Sequence, residues 1–141
     1  MSELNLTTSR VIAAPRTRVF DAWLSPDMLT KFMTPGPDMS VPKAETNPVA
    51  GGRFEVVMHA GGNDLPHSGT YKEISPHERI IFTWESPYSV DDSTVTLDFT
   101  DVDGGTEVTL THVKFASEEV RDNHLGGWTG ILATLEKAMA A

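Results

Sequence analysis

Residues 117–141 carry one apolar stripe at helical spacing, Val120, His124, Trp128, Ile131, Leu132, Leu135 and Met139, after a long stretch of chain that reads mainly at period two. A stripe of that kind cannot bury itself, so the helix must lie across whatever sheet the preceding strands build. Ser117 is placed to cap it, and Glu118 and Glu119 sit in the first turn, where the helix dipole favours negative charge. Gly126-Gly127 lies inside the helix at a cost of about 1 kcal/mol per glycine against alanine, so the pair either kinks it or admits something close to its backbone. Upstream, residues 94–99 and 107–112 alternate cleanly around Asp103-Gly104-Gly105, a hairpin signature. Residues 53–59 place Phe54, Val56 and Met58 on one face, and residues 68–74 and 79–85 read as further strands between glycine, proline and serine turns. Consecutive strands joined by short turns predict an antiparallel sheet.

Residues 4–13 are β-branched and predict a first strand that stops before Pro15. Pro15 is read as the first residue of a short helix carrying Val19, Phe20, Trp23 and Leu24. Ser25 caps a second short helix, with Pro26 at its first position and Met28, Leu29 and Phe32 inside it. Residues 33–37 and 41–48 are proline-bearing and predict irregular chain or an edge strand, because proline cannot donate to a central ladder. No repeat or low-complexity tract interrupts the 141 residues, so the expectation is one domain over residues 1–141.

The chain contains no cysteine, which excludes thiolate catalysis, disulfides and Cys-based metal sites. A formal charge of −9 repels nucleic acid and anionic membrane surfaces. No apolar run approaches the roughly 20 residues of a membrane span, and Met1-Ser2-Glu3 opens no leader pattern, so a cytoplasmic location is expected, with no membrane insertion and no nucleic-acid partner.

Five stretches together resemble a known family: residues 10–23 with Arg10, Pro15, Val19, Phe20 and Trp23; Gly51-Gly52-Arg53-Phe54; residues 69–84 from Gly69 through Tyr71 and Pro76 to Trp84; residues 105–112 from Gly105 to His112; and residues 121–128 ending in His124, Gly126-Gly127 and Trp128. They resemble the bacterial stand-alone branch of the activator-of-Hsp90-ATPase-like family, within the START/Bet v 1-like (SRPBCC) superfamily. The resemblance implies an α+β helix-grip fold: a curved antiparallel sheet of six or seven strands wrapped around a long C-terminal helix, with two short helices after the first strand and a cavity between sheet and helix. It says little about function, because that scaffold hosts lipid carriers, cyclases, receptors and co-chaperone modules alike.

Within that frame the inward set is Phe54, Val56, Met58, Tyr71, Phe82, Trp84, Val95, Leu97, Phe99, Val108 and Leu110 from the sheet, met by His124, Trp128, Ile131, Leu132 and Leu135 from the helix, with Trp23 and Phe32 closing one end. Pattern alone fits a solid interdigitated core; the resemblance adds the expectation that these residues line a ligand cavity. Trp23 and Phe32 then form either a gate or a static cap. His112 falls on the apolar face by the alternation Val108, Leu110, His112, and with His124 it is read either as a polar group that orients a ligand or as a satisfied core histidine. No HxxxH or Cys/His spacing supports a metal, and no cofactor is expected. Glu55, Asp98 and Glu107 alternate with the apolar set and belong on the solvent face. Neither a G-x-S-x-G elbow nor a phosphate loop occurs.

The leading expectation is therefore a binding protein for a small, mainly hydrophobic molecule, lipidic, aromatic or polyketide-like, acting as a monomer or homodimer. A cyclase or hydrolase using His112, His124 or Tyr71 is the alternative from catalysis. A module docking on an Hsp90-type chaperone is the alternative that the family resemblance implies; the two-domain co-chaperones carry a further N-terminal domain, so a chain opening at the first helix-grip strand is expected to suit that role less well.

Overall fold

The computed structural model describes residues 4–34, 38–86 and 89–140, so Met1-Ser2-Glu3 and the expected irregular positions Pro35, Gly36, Pro37 and Pro87 lie outside the described residues. The elements run β1 (Asn5–Ile12), α1 (Arg16–Ala22), α2 (Pro26–Phe32), β2 (Ser40–Thr46), β3 (Arg53–Ala60), β4 (Asn63–Ser75), β5 (Arg79–Thr83), β6 (Thr94–Val102), β7 (Gly105–Val113) and α3 (Glu118–Ala140). The strands form one seven-stranded antiparallel sheet in the order β1-β7-β6-β5-β4-β3-β2, curled into a half-barrel around α3. From β2 to β7 each strand pairs with its chain neighbour, while β1 and β2 occupy opposite edges with α1 and α2 carrying the chain between them.

Local chemistry accounts for most boundaries. Ser25 Oγ accepts the Met28 N–H at 3.3 Å and Ser117 Oγ accepts the Val120 N–H at 3.2 Å, the two caps expected from the chain. Pro15 differs from expectation: it is the cap residue of α1, at φ −60° and ψ 148°, rather than its first helical residue. Of the prolines of 41–48, Pro42 lies in an edge strand, at a register shift between Ser40 and Lys43 where a missing N–H interrupts no ladder, and Pro48 lies in the irregular chain after it. Gly61-Gly62 forms a two-residue hairpin turn with φ +58° and +81°, so β4 opens at Asn63 and Asp64, opposite Ala60 and His59, rather than at the expected residue 68. β5 ends one residue before Trp84, because the backbone of Glu85 pairs with Ser68 instead.

β4 is the 13-residue strand around which the sheet turns: its first half pairs with β3 and its second with β5. Gly69 sits between those halves, and a Cβ there would run into the Thr83 carbonyl and the Phe54 ring. The close approach of β3, β4 and the end of β5 thus depends on the absence of a side chain at that point. The core fills the concave side, where Val56, Ile80, Val95, Leu97, Val108, Leu110, Leu132 and Leu135 are at most 1% exposed. On the convex side Glu55 pairs with Lys43 at 2.8 Å, Asp98 with Arg79 at 2.7 Å and Glu85 with Arg53 at 2.9 Å, the cross-strand arrangement that the alternation of these carboxylates with apolar residues calls for. None of the helices of the described residues is long and apolar enough to cross a membrane.

Candidate ligand-binding cleft

α3 runs unbroken through Gly126-Gly127, and the outcome of the glycine pair is access: Gly126 faces open space, and Gly127 lines a cleft. The cleft has a volume of about 190 Å³ and lies between the first half of α3 and the β3–β4 hairpin. Asn123, His124, Gly127, Trp128 and Ile131 form its helical wall; Met58 comes from β3, Leu65 and His67 from β4, Trp84 from just after β5, and Met39 from just before β2. A second, inner cavity of about 20 Å³ lies deeper, lined by Trp23, Leu29, Met33, Phe54, Val56, Tyr71, Ile80, Phe82 and Trp84. That space admits about one water, whereas an apolar cavity of roughly 150 Å³ holds a benzene.

These geometries divide the expected lining set. Met58, Trp84, His124, Trp128 and Ile131 meet in the cleft, and Trp23, Phe54, Val56, Tyr71, Phe82 and again Trp84 meet around the inner cavity. Phe32, Val95, Leu97, Phe99, Leu110, His112, Leu132 and Leu135 border neither void; they interdigitate into solid core, with α3 packed against β1 at the edge of the sheet. Phe32 packs edge-on against Trp23 at 4.9 Å and backs the end wall rather than facing a space. None of the expected residues reaches the charged, solvent-open groove of about 880 Å³ between α1, α2 and the last turns of α3.

His112 is a satisfied core histidine, fully buried. Trp128 Nε1–H donates to its Nδ1 at 3.0 Å, and an indole can only donate, so the neutral ring carries its proton on Nε2. That N–H donates to Ser93 Oγ at 2.6 Å, and Ser93 Oγ in turn donates weakly to the Val113 carbonyl at 3.4 Å. Burial, with the neighbouring His124 adding to it, holds the His112 pKa down to about 3. Its rings and those of His124 do meet, edge to face at 5.4 Å, but as packing: His124 Nδ1–H donates to the Val120 carbonyl one turn back, at 2.8 Å. His112 thus orients Trp128 and is unavailable to a ligand, whereas His124 reaches the cleft.

Sequence reading missed Met39, Leu65, His67 and Asn123. The alternation Leu65, His67, Gly69, Tyr71 continues the inward face of β4 backwards, but Pro66 and the glycine pair before it disguise that stretch as a turn. Asn123, Gly127 and Ile131 form an i, i+4, i+8 line beside the main stripe. Met39 sits among prolines, where no period exists to find it. His67 stacks on Trp84 at 4.9 Å and 29°, and burial pushes its pKa down to about 4, with the carbonyls of Leu65 and Val56 pulling the other way and His124 adding a smaller depression. Among the described residues, His67 Nδ1, Trp84 Nε1 and Trp23 Nε1 are buried without hydrogen-bond partners, each at a cost of about 1–3 kcal/mol. No group of three or more His, Cys, Asp or Glu able to hold a metal occurs among the described residues.

Comparison with known proteins agrees with this architecture. A family profile described as "Activator of Hsp90 ATPase homolog 1-like protein" matches residues 13–140. A search of curated proteins finds no match. Among solved structures, a protein of Chromobacterium violaceum superposes with a TM-score of 0.87 at 24% identity, covering 97% of each chain. An AHSA1-like protein of Aeromonas hydrophila gives 0.83 at 24% identity over 95% of this chain and 90% of that one. A protein of Nitrosomonas europaea gives 0.80 at 24% identity over 95% and 92%. At these identities the likeness establishes the fold alone.

Proposed function

Because the chain belongs to the activator of Hsp90 ATPase homolog 1-like family, whose fold is compatible with a ligand-binding domain, we propose that it binds a small, mainly aromatic molecule in the cleft between α3 and the β3–β4 hairpin. The observation that carries the reading is the composition of that cleft among the described residues: apolar and aromatic walls, three polar side chains in Asn123, His67 and His124, and no Lys, Arg, Asp or Glu. Apolar walls supply binding free energy at ~25 cal/mol per Å² buried, and sparse polar groups set orientation. The volume favours a one- or two-ring molecule over a lipid, since about 190 Å³ cannot house a long acyl chain. Catalysis by His112 is disfavoured because both its ring nitrogens are engaged inside the protein. Tyr71 is equally unsuited as a base: burial pushes its phenol pKa up, so it stays protonated at neutral pH.

The test is titration of the ¹⁵N-labelled protein with toluene and with indole. Saturable shifts of the Gly127, Trp128 and His124 backbone amides are expected, and their absence at the solubility limit of both probes overturns the reading. A second reading, docking on an Hsp90-type chaperone, has the family match as its support; a pull-down with the host chaperone coupled to its ATPase rate tests it.

A further inference from the structure

Among the described residues, Trp84 alone belongs to the walls of both voids. Its main chain is fixed: the Trp84 N–H donates to the Ser93 carbonyl at 2.7 Å, and the next residue, Glu85, exchanges backbone hydrogen bonds with Ser68 at 2.8 and 2.9 Å. Its indole is held differently. The ring lies against His67 and Trp128 at centroid separations of 4.9 and 4.8 Å, with Phe54, Phe82 and His112 farther out at 6.3–6.4 Å, so rings rather than hydrogen bonds hold it, and its Nε1–H has no partner among the described residues. Trp128 provides the contrast, since its Nε1–H is anchored on His112. The buried side-chain polar atoms without partners among the described residues, Trp84 Nε1, Trp23 Nε1 and His67 Nδ1, all belong to residues that line one or other void, and Trp84 and Trp23 are only 3% and 4% exposed. Native cores satisfy nearly all such groups internally, so their gathering on this wall marks it as a surface completed by an acceptor from outside the chain. Because, among the described residues, no Lys, Arg, Asp or Glu lines either void, an ionised ligand would lose its hydration without a counter-charge.

We propose that the cleft and the inner cavity are one chamber divided by the Trp84 indole, and that its occupant is a neutral aromatic carbonyl compound whose oxygen accepts the Trp84 Nε1–H. The proposal rests on the cleft being the ligand site. The ring of the ligand takes the apolar space beside Trp128, the indole of Trp84 turns to present its N–H, and the Trp23 N–H, on a residue of the inner cavity's wall, is a second donor without a partner among the described residues.

Three probes of similar size separate the terms: acetophenone, ethylbenzene, which lacks the acceptor, and benzoate, which carries a charge. The chain has three tryptophans, so its three indole N–H signals can be assigned with single Trp→Phe variants and followed in the intact ¹⁵N-labelled protein. Acetophenone is expected to move the Trp84 indole signal downfield relative to its position with ethylbenzene, and to bind about tenfold more tightly than either other probe. In Trp84→Phe the preference for acetophenone over ethylbenzene is expected to fall towards unity; if that variant does not fold, the wild-type shifts and the wild-type preference decide. Equal affinity for acetophenone and ethylbenzene, tighter binding of benzoate, or an unmoved Trp84 signal at acetophenone saturation overturns the proposal, while ethylbenzene shifts at the Gly127 and His124 amides would leave the cleft reading standing. If no probe moves those amides, both fall.

Discussion

Replacing Ser93 by alanine leaves the His112 Nε2–H without its 2.6 Å acceptor in a place that is 0% exposed to solvent. Urea unfolding is expected to register a loss of about 1–3 kcal/mol for Ser93→Ala, more than an exposed serine in the same sheet would cost. The two depressed histidines set a pH dependence at the same scale. His112 and His67 bind protons more weakly in the folded chain, at about 3 and about 4, than in the unfolded chain at about 6.5. Between those values the unfolded state therefore holds more protons, so the contribution is fully present above about pH 6.5 and is lost as pH falls, by up to about 1.4 kcal/mol per pH unit for each histidine. Urea midpoints measured at pH 7, 5.5 and 4.5 are expected to drop progressively, and less steeply in His67→Gln. His112 stood out in the chain as an ionisable group on an apolar face, yet its partners Ser93 and Trp128 are 19 and 16 residues away, and only the folded register brings them onto its two nitrogens.

Elements were legible where one period or one cap dominated. The β6–β7 hairpin, α2 with its Ser25 cap and α3 with Ser117 before it all follow from local chemistry. β4 was legible only in part, because Pro66 and the preceding glycines resemble a turn while pairing with β3 from Ala60↔Asn63 onward holds those residues in the sheet. The crowding around Gly69 of β4 yields the prediction for this scale. Gly69→Ala is expected to cost about 1–3 kcal/mol, since the added methyl meets the Thr83 carbonyl and the Phe54 ring, and backbone cannot yield as a flexible side chain can. Gly126→Ala, whose methyl meets nothing, is expected to stabilise α3 by about 1 kcal/mol. Thermal unfolding of the two variants should therefore move in opposite directions.

For the molecule as a whole, the voids follow from how far α3 closes upon a curled sheet. The helix seats closely on β1, and Leu97, Leu110 and Leu135 in the core beneath it are 0% exposed; beside the β3–β4 hairpin the cleft remains. A one-ring aromatic at ten times its Kd should raise stability by about 1.4 kcal/mol, a melting shift of roughly 3–6 °C, while long-chain fatty acids should leave the melting temperature unchanged. A thermal-shift comparison of toluene and palmitate checks both. Alternation, capping and turn chemistry are short-range, so the amino-acid order specified the helices, most of the strands and their inward faces, and the layered α+β class. Which inward residues border empty space, which histidine is sealed and which indoles lack a partner depended on the curvature of the sheet and the seat of α3, both sums over contacts between residues distant in the chain.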